Sequence, residues 1–529
     1  MNLTDYPYAS QRRVILGKRG AVATSQPLAS LAGMEMFWRG GNAVDAAVAT
    51  AIALTVVEPT SNGIGADAFA LVWDGNLHGL NASGKSPAAM TLDKYSNLCS
   101  VPRTGWLTVT IPGAVSAWRS LWQRWGKLPF EELFAPAIRY AEEGFPVSPV
   151  TAMAWKQAEK VYLPLTGREF QQFKEVFFPG DRAPQAGEIW GSIIHAETLR
   201  AIAFSGGESF YSGEIAEKIA NFAANTNGLI AKSDLANHQA DWVNPISTQY
   251  RHLRVWEIPP NTQGIATLMA LNILENFNIN KHSRESVESY HQQIEAMKLA
   301  FADVNNYVAD PKFMNVTCEE LLAKSYANKR QKLIQEQAIS VAEPGIFKGG
   351  TVYLCAADEN LMVSLIQSNY DGFGSGILIP GTGIALQNRA SGFTLEPEHP
   401  NQLAPEKRPF HTIIPGFITQ ENEPLATFGV MGGQMQPQGH LQVVVNLADY
   451  NLNPQGALDA PRWRFIADKQ VLLEANVPEF IAHGLRDKGH NVTLTKTREM
   501  FGRGQIIWRQ KDVLIAASEP RADGLAIAW

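Results

Sequence analysis

Three short stretches of the chain carry residue types that could do chemistry. Gly349-Gly350-Thr351 follows an irregular polar stretch, Glu343 to Lys348, and opens the apolar run Val352 to Ala357. Cutting the Gly350–Thr351 bond would make Thr351 a new N-terminus. A free α-amine has a pKa of about 7.7–8, so it can serve as base for its own hydroxyl. That is the N-terminal threonine form of an activated nucleophile. Taken by spacing alone, the triplet is a turn into a strand. Gly432-Gly433, after Phe428 to Met431, offers two backbone N–H groups unscreened by side chains. Such a pair can form an oxyanion hole, and a tight turn is the plainer reading. Gly79 to Ser86 fits G-x-x-x-x-G-K-[ST], in which backbone N–H groups cradle phosphates and a helix begins at the Lys-Ser end. Its context is poor. Pro87 follows at once, where an early helix residue should donate its N–H, and the strand before Gly79 is the return arm of a hairpin. Nucleotide binding at Gly79–Ser86 therefore stands as an alternative function.

Other signatures are absent. H-E-x-x-H, C-x-x-C and G-x-S-x-G do not occur, and the 11 histidines are scattered. Cys99, Cys318 and Cys355 are too far apart and too few for a zinc cluster or a disulfide scaffold. They read as free thiols in a reducing compartment, and no metal site is expected.

The elements that must hold these residues mix helix and strand. Asn42 is a good N-cap for Ala43 to Val57, with Asp45 three residues on, and that helix is apolar nearly all round, so it should be buried. Phe69 to Trp73, Asp74-Gly75-Asn76 and Leu77 to Leu80 predict a β-hairpin. Phe130 to Glu143 and Tyr290 to Tyr307 have helical spacing. Thr351 to Ala357 and Leu361 to Ser368 predict paired strands, Leu425 to Val430 and Gln470 to Glu474 add more, and Leu441 to Leu447 is a buried helix or strand. Layered α and β structure follows.

Composition bounds the function classes. Of 529 residues, 45% are hydrophobic and 18% charged, the latter below the usual ~25%; this is a compact chain and not a disordered one. A formal charge of −6 argues against a nucleic-acid partner. Met1 to Ser10 has no apolar core of a secretory signal. The longest uncharged apolar run, Ala46 to Val57, is short of the roughly 20 residues a membrane span needs. The expectation is a soluble, cytoplasmic protein without a membrane partner.

In order along the chain, the pieces resemble the γ-glutamyltranspeptidase family (γ-glutamyltransferase, glutathione hydrolase) of N-terminal nucleophile hydrolases. Gly40-Gly41-Asn42-Ala43-Val44-Asp45-Ala46-Ala47, Glu58-Pro59, Glu295 to Asp303, Gly372 to Gly376, Lys407-Arg408-Pro409, Gly432-Gly433 and Asp459-Ala460-Pro461-Arg462 are similar to its blocks. The resemblance runs from about Ala21 to Trp529. It implies an α+β fold, a four-layer αββα sandwich. It also implies a precursor that cuts itself at Gly350–Thr351 into residues 1–350 and 351–529, which stay together as a heterodimer, with a dimer of such pairs left open. Thr351 would then attack an amide, and water or an amine would take the acyl group from the acyl-enzyme. Gly432 and Gly433 match the oxyanion glycines, and Ser368 falls at a second hydroxyl that steadies the nucleophile. No cofactor or metal is implied.

The departures concern recognition. The family holds the γ-glutamyl α-carboxylate with an arginine in D-x-R-E-x-A-P. Here the block is Asn81 to Pro87, so Ser83 stands in that place, with Lys85 two residues on as a stand-in that lacks a bidentate grip. The family's α-amino-binding aspartate is Gly392 here, and its serine pair after K-R-P is His411-Thr412. Losing a charge-assisted contact costs about 1.5–3 kcal/mol, so glutathione should be a poor substrate unless new contacts replace these. Arg389 and His411 are candidate acyl-group contacts. A glutaryl-type amide, as in the family's acylase branch, is the natural comparison, and a non-catalytic relative is the remaining alternative.

Overall fold

The computed structural model describes residues 12–340 and 350–529. The N-terminal stretch read for a signal and the polar stretch up to Gly349 lie outside the described residues. Two seven-stranded sheets dominate. One runs, in spatial order, Ile15–Gly17, Val513–Ser518, Arg503–Gln510, Glu423–Met431, Gly416–Gln420, Leu253–Glu257, Ile246–Tyr250. The other runs Leu525–Ala528, Gly20–Thr24, Gly350–Asp358, Met362–Tyr370, Asp67–Trp73, Leu77–Asn81, Asp241–Val243. Neighbours in both pair antiparallel.

Side-chain alternation along each strand explains the layering. In Gly350–Asp358, Val352, Leu354 and Ala356 join the core beneath the helices Pro27–Trp38 and Ala43–Val57. Tyr353, Cys355 and Ala357 face the other way, into a core between the sheets with Phe417, Met431 and Ile507. The outer face of the other sheet, the one that holds Glu423–Met431, is covered by Gly264–Leu274, Val287–Tyr307 and Met435–Ala448. The order helix, sheet, sheet, helix is the expected αββα sandwich. Strands from before and after Gly350 are mixed within both seven-stranded sheets, so neither segment forms either of these sheets alone.

Local expectations are met where capping or turn chemistry is explicit. Asn42 and Asp45 form a capping box, and Ala43–Val57 is buried along its whole length. The hairpin is Asp67–Trp73 with Leu77–Asn81. Phe130 to Glu143 departs from one helix: a 3-10 turn, Phe130–Phe134, precedes the helix Ala135–Glu143, because Pro136 suits only a helix's first turn. Leu441 to Leu447 lies within a helix. The phosphate-loop alternative is corrected here. After the strand Leu77–Asn81 the chain has no regular structure through Pro87, and no helix begins at Lys85-Ser86. Ser86 Oγ instead donates to the Ala404 carbonyl. Among the described residues no helix is long and apolar enough to cross a membrane.

Candidate active site

Thr351 begins the inward-facing row of Gly350–Asp358 and is 3% exposed. Its partner strand is irregular opposite it. Gly350 pairs with Tyr370 and Val352 with Gln367, so the register slips by one residue around Ser368, as in a β-bulge that re-aims a side chain. Tyr370 sits at φ +81°, rare for a residue with a side chain. That turn brings the Tyr370 N–H to 2.8 Å from Ser368 Oγ. Thr351 Oγ1 donates to Ser368 Oγ at 3.2 Å, and Ser368 Oγ donates to the Gly350 carbonyl at 2.7 Å.

A buried cation completes this corner. Arg389 is fully buried; its Nη2 donates to Ser368 Oγ at 2.7 Å and its Nη1 to Thr412 Oγ1 at 2.9 Å. The guanidinium stacks 4.4 Å from the Tyr370 ring centre. Burial lowers its pKa to about 10, so it stays charged at neutral pH. Arg389 Nε has no hydrogen-bond partner among the described residues. A buried N–H with no acceptor is costly and suits a site that receives an anion.

His411 and Asp67 adjoin it. His411 Nε2 lies 3.1 Å from Asp67 Oδ2, and the Gly84 and Gly113 N–H groups donate to Asp67 Oδ1 at 3.2 and 3.1 Å. Burial pushes the Asp67 carboxyl up to about 7, against the pull of Arg389. Burial and the Arg389 charge hold His411 well below its usual value, so it is neutral. Ser83 belongs to the same buried ground: its hydroxyl donates to Asn81 Oδ1 at 2.7 Å and accepts from Asn261 Nδ2 at 3.4 Å. Lys85 does not: its side chain is exposed.

The glycine pair joins through one glutamine. Gln263 Nε2 donates to the Thr412 carbonyl at 2.5 Å and to the Gly433 carbonyl at 2.9 Å. A continuous path therefore runs Thr351, Ser368, Arg389, Thr412, Gln263, Gly433. Gly432 and Gly433 have φ of +136° and +61°, conformations open to glycine. Neither N–H has an acceptor among the described residues, which leaves both able to receive a developing oxyanion.

Sequence reading singled out Thr351, Gly350, Ser368, Arg389, His411, Thr412, Ser83, Gly432 and Gly433, and the fold gathers them along this path. It missed Asp67, Gln263 and Tyr370. Asp67 left a usable signal, a lone carboxylate inside the apolar run Ala66 to Val72. Gln263 and the turned Tyr370 left none. Sequence reading also missed a buried group elsewhere. His291 and Glu295, one helical turn apart, meet His490. The Lys298 ammonium already lies 2.7 Å from Glu295 Oε1 and 3.5 Å from His490 Nδ1, where a metal ion would have to displace it.

Comparison with known proteins shows the family. The family model described as gamma-glutamyltranspeptidase matches residues 29–529. The glutathione hydrolase-like YwrD proenzyme of Bacillus subtilis is 33% identical, over 97% of this chain and 99% of that one. The oxamate amidohydrolase proenzyme of Klebsiella pneumoniae is 32% identical, over 96% and 98%. The crystal structure of cephalosporin acylase from Bacillus halodurans superposes with a TM-score of 0.96 at 52% identity, covering 100% of this chain and 99% of that one. The chain belongs to the γ-glutamyltranspeptidase family and is an amide-hydrolysing enzyme of the N-terminal nucleophile hydrolase type.

Proposed function

We propose that the chain matures by cutting its own Gly350–Thr351 bond, and that Thr351 then cleaves amides whose acyl group carries a second carboxylate and needs no α-amine. The path from Thr351 Oγ1 through Ser368 to the buried Arg389, with its unpartnered Nε–H, carries this reading. In the mature form the α-amine of Thr351 takes the hydroxyl proton as Oγ1 attacks the amide carbonyl. The Gly432 and Gly433 N–H groups receive the oxyanion. The amine returns the proton to the leaving nitrogen, and water or an amine acceptor then takes the acyl group. Segments 1–350 and 351–529 stay associated, a reading supported by the strands that both contribute to each seven-stranded sheet. The oxamate amidohydrolase name of one relative fits a short acidic acyl group, and the acylase name of another fits amide cleavage. A panel of glutaryl, oxalyl, γ-glutamyl and uncharged acyl amides tests it by kcat/KM. The expected order places amides of dicarboxylic acids first. Equal turnover of the uncharged amides would contradict it, and a cleaved protein that acylates with none would be a non-catalytic relative.

Reinstalling the family's aspartate should not restore γ-glutamyl use. A side chain at Gly392 would run into the Phe410 carbonyl, and such overpacking costs about 1–3 kcal/mol. Gly392→Asp is therefore expected to melt lower than wild type and to leave glutathione turnover at background. Glutamate release from glutathione by this variant would count against the account.

The site also has a pH signature. Below about 7 Asp67 is protonated and no longer offsets the Arg389 charge; above it, the carboxylate does. KM for an anionic acyl amide should therefore rise several-fold as pH passes through 7, and Asp67→Asn should hold the low value across that range. The folded pKa is raised, so folding favours the protonated acid. Stability from this group is fully present below the ordinary value of 3.8 and is lost as pH rises through about 7. A KM profile identical in wild type and Asp67→Asn would show that Asp67 does not face the acyl group.

A further inference from the structure

We infer that Arg389 is also a positioning residue for self-cleavage, acting through Ser368; this rests on Gly350–Thr351 being the bond that is cut. A serine hydroxyl has one proton and two lone pairs. Three donors converge on Ser368 Oγ. The two closest are nitrogens, the Tyr370 N–H at 2.8 Å and Arg389 Nη2 at 2.7 Å, which hold its lone pairs. The Thr351 hydroxyl stands farther off at 3.2 Å and gains a lone pair only when the Ser368 proton leaves. With both lone pairs taken, the hydroxyl's own proton is directed at the Gly350 carbonyl oxygen, 2.7 Å away. Without Arg389 the hydroxyl could turn, and its proton would no longer be committed to the bond that breaks. Arg389 is itself held from two other sides, by Thr412 Oγ1 at 2.9 Å and by the Tyr370 ring at 4.4 Å.

The geometry supports a proton relay that uses no separate base. Thr351 Oγ1, 3.2 Å from Ser368 Oγ, attacks the Gly350 carbonyl carbon. The Ser368 proton moves to the carbonyl oxygen, which frees a lone pair for the Thr351 hydroxyl proton. The tetrahedral centre forms without separated charge, and the Arg389 cation stabilises the negative charge that builds transiently on Ser368 Oγ. On collapse the carbonyl reforms, the carbon–nitrogen bond breaks, and the added hydroxyl proton goes to the departing nitrogen. The product is a Gly350 ester on Thr351 Oγ1 beside a free α-amine. Water hydrolyses that ester to the Gly350 carboxylate and the Thr351 hydroxyl.

The test follows cleavage of the full-length precursor over time by denaturing electrophoresis. It compares wild type, Arg389→Ala, Arg389→Lys, Ser368→Ala and the Arg389→Ala/Ser368→Ala double variant, with a thermal melt of each precursor. Arg389→Ala and Ser368→Ala should each slow cleavage at least tenfold. The double variant should be no slower than the slower single one, since both remove the same relay. Arg389→Lys, or added guanidinium with Arg389→Ala, should recover part of the rate at an unchanged melting temperature. Arg389→Ala cleaving at the wild-type rate, or two effects that multiply in the double variant, would overturn the inference. A wild type that never cleaves would overturn it together with the maturation reading. Amide turnover per Thr351 N-terminus separates the two proposals: cleavage as expected with no acyl turnover would sink the proposed reaction and leave this inference standing.

Discussion

Thr351→Ala is expected to leave an uncut 58.0 kDa chain with amide turnover at background, a loss of roughly 10⁴- to 10⁶-fold in kcat. The size follows from two roles resting on one atom. Oγ1 is the attacking group in cleavage and again in turnover, and the residue's α-amine exists as a base only after cleavage. No neighbour can replace it: the adjacent hydroxyl, Ser368 Oγ, already donates to the Gly350 carbonyl and accepts from Arg389 and the Tyr370 N–H. Thr351→Ser keeps the hydroxyl and loses the methyl that limits rotation about the side chain. It should still cleave and turn over, at a reduced rate. Cleavage of Thr351→Ala at this bond would mean that another group supplies the nucleophile.

The second large effect concerns Arg389. Removing a charged donor from a buried anion costs about 1.5–3 kcal/mol, or roughly 10- to 150-fold. Arg389→Ala, compared per mole of Thr351 N-termini so that slow maturation is factored out, should lose that much kcat/KM on dicarboxylic amides. On uncharged acyl amides it should lose far less. Arg389→Lys should recover little of it, because lysine's single nitrogen cannot reproduce the planar fork whose Nη1 and Nη2 reach Thr412 and Ser368 separately. An equal loss on charged and uncharged acyl groups would assign Arg389 to holding the site together and not to selecting the acyl group. Lys85, exposed to solvent, is the contrasting control: Lys85→Ala should change KM by less than about twofold.

The sequence made the fold legible where local rules and burial agree. The Asn42–Asp45 capping box and the hairpin through Asp74-Gly75-Asn76 are such places, and so is the alternation from Val352 to Ala357, which sends every second residue to a different core. Thr351 and the glycine pair were visible as motifs, but either could have been a plain turn. Joining them took contacts that are distant in sequence, such as Gln263 to Gly433 and Arg389 to Thr412. The positive φ of Tyr370 and the slipped register around Ser368 carry no compositional mark, since they arise from the pairing of two strands around one bulge. Asp67 was legible and overlooked, a carboxylate where the pattern calls for an apolar residue. The phosphate-loop match failed for the opposite reason: the residues were present and the helix that gives them meaning was not.

The most direct test is the intact mass and N-terminal sequence of the purified wild-type protein. The account predicts two polypeptides, of 350 and 179 residues, about 38 and 20 kDa, with Thr351 as the nucleophilic N-terminus of the smaller. That smaller chain should begin Thr-Val-Tyr-Leu-Cys. A single uncut chain, or a smaller chain that begins at any residue other than Thr351, would contradict it.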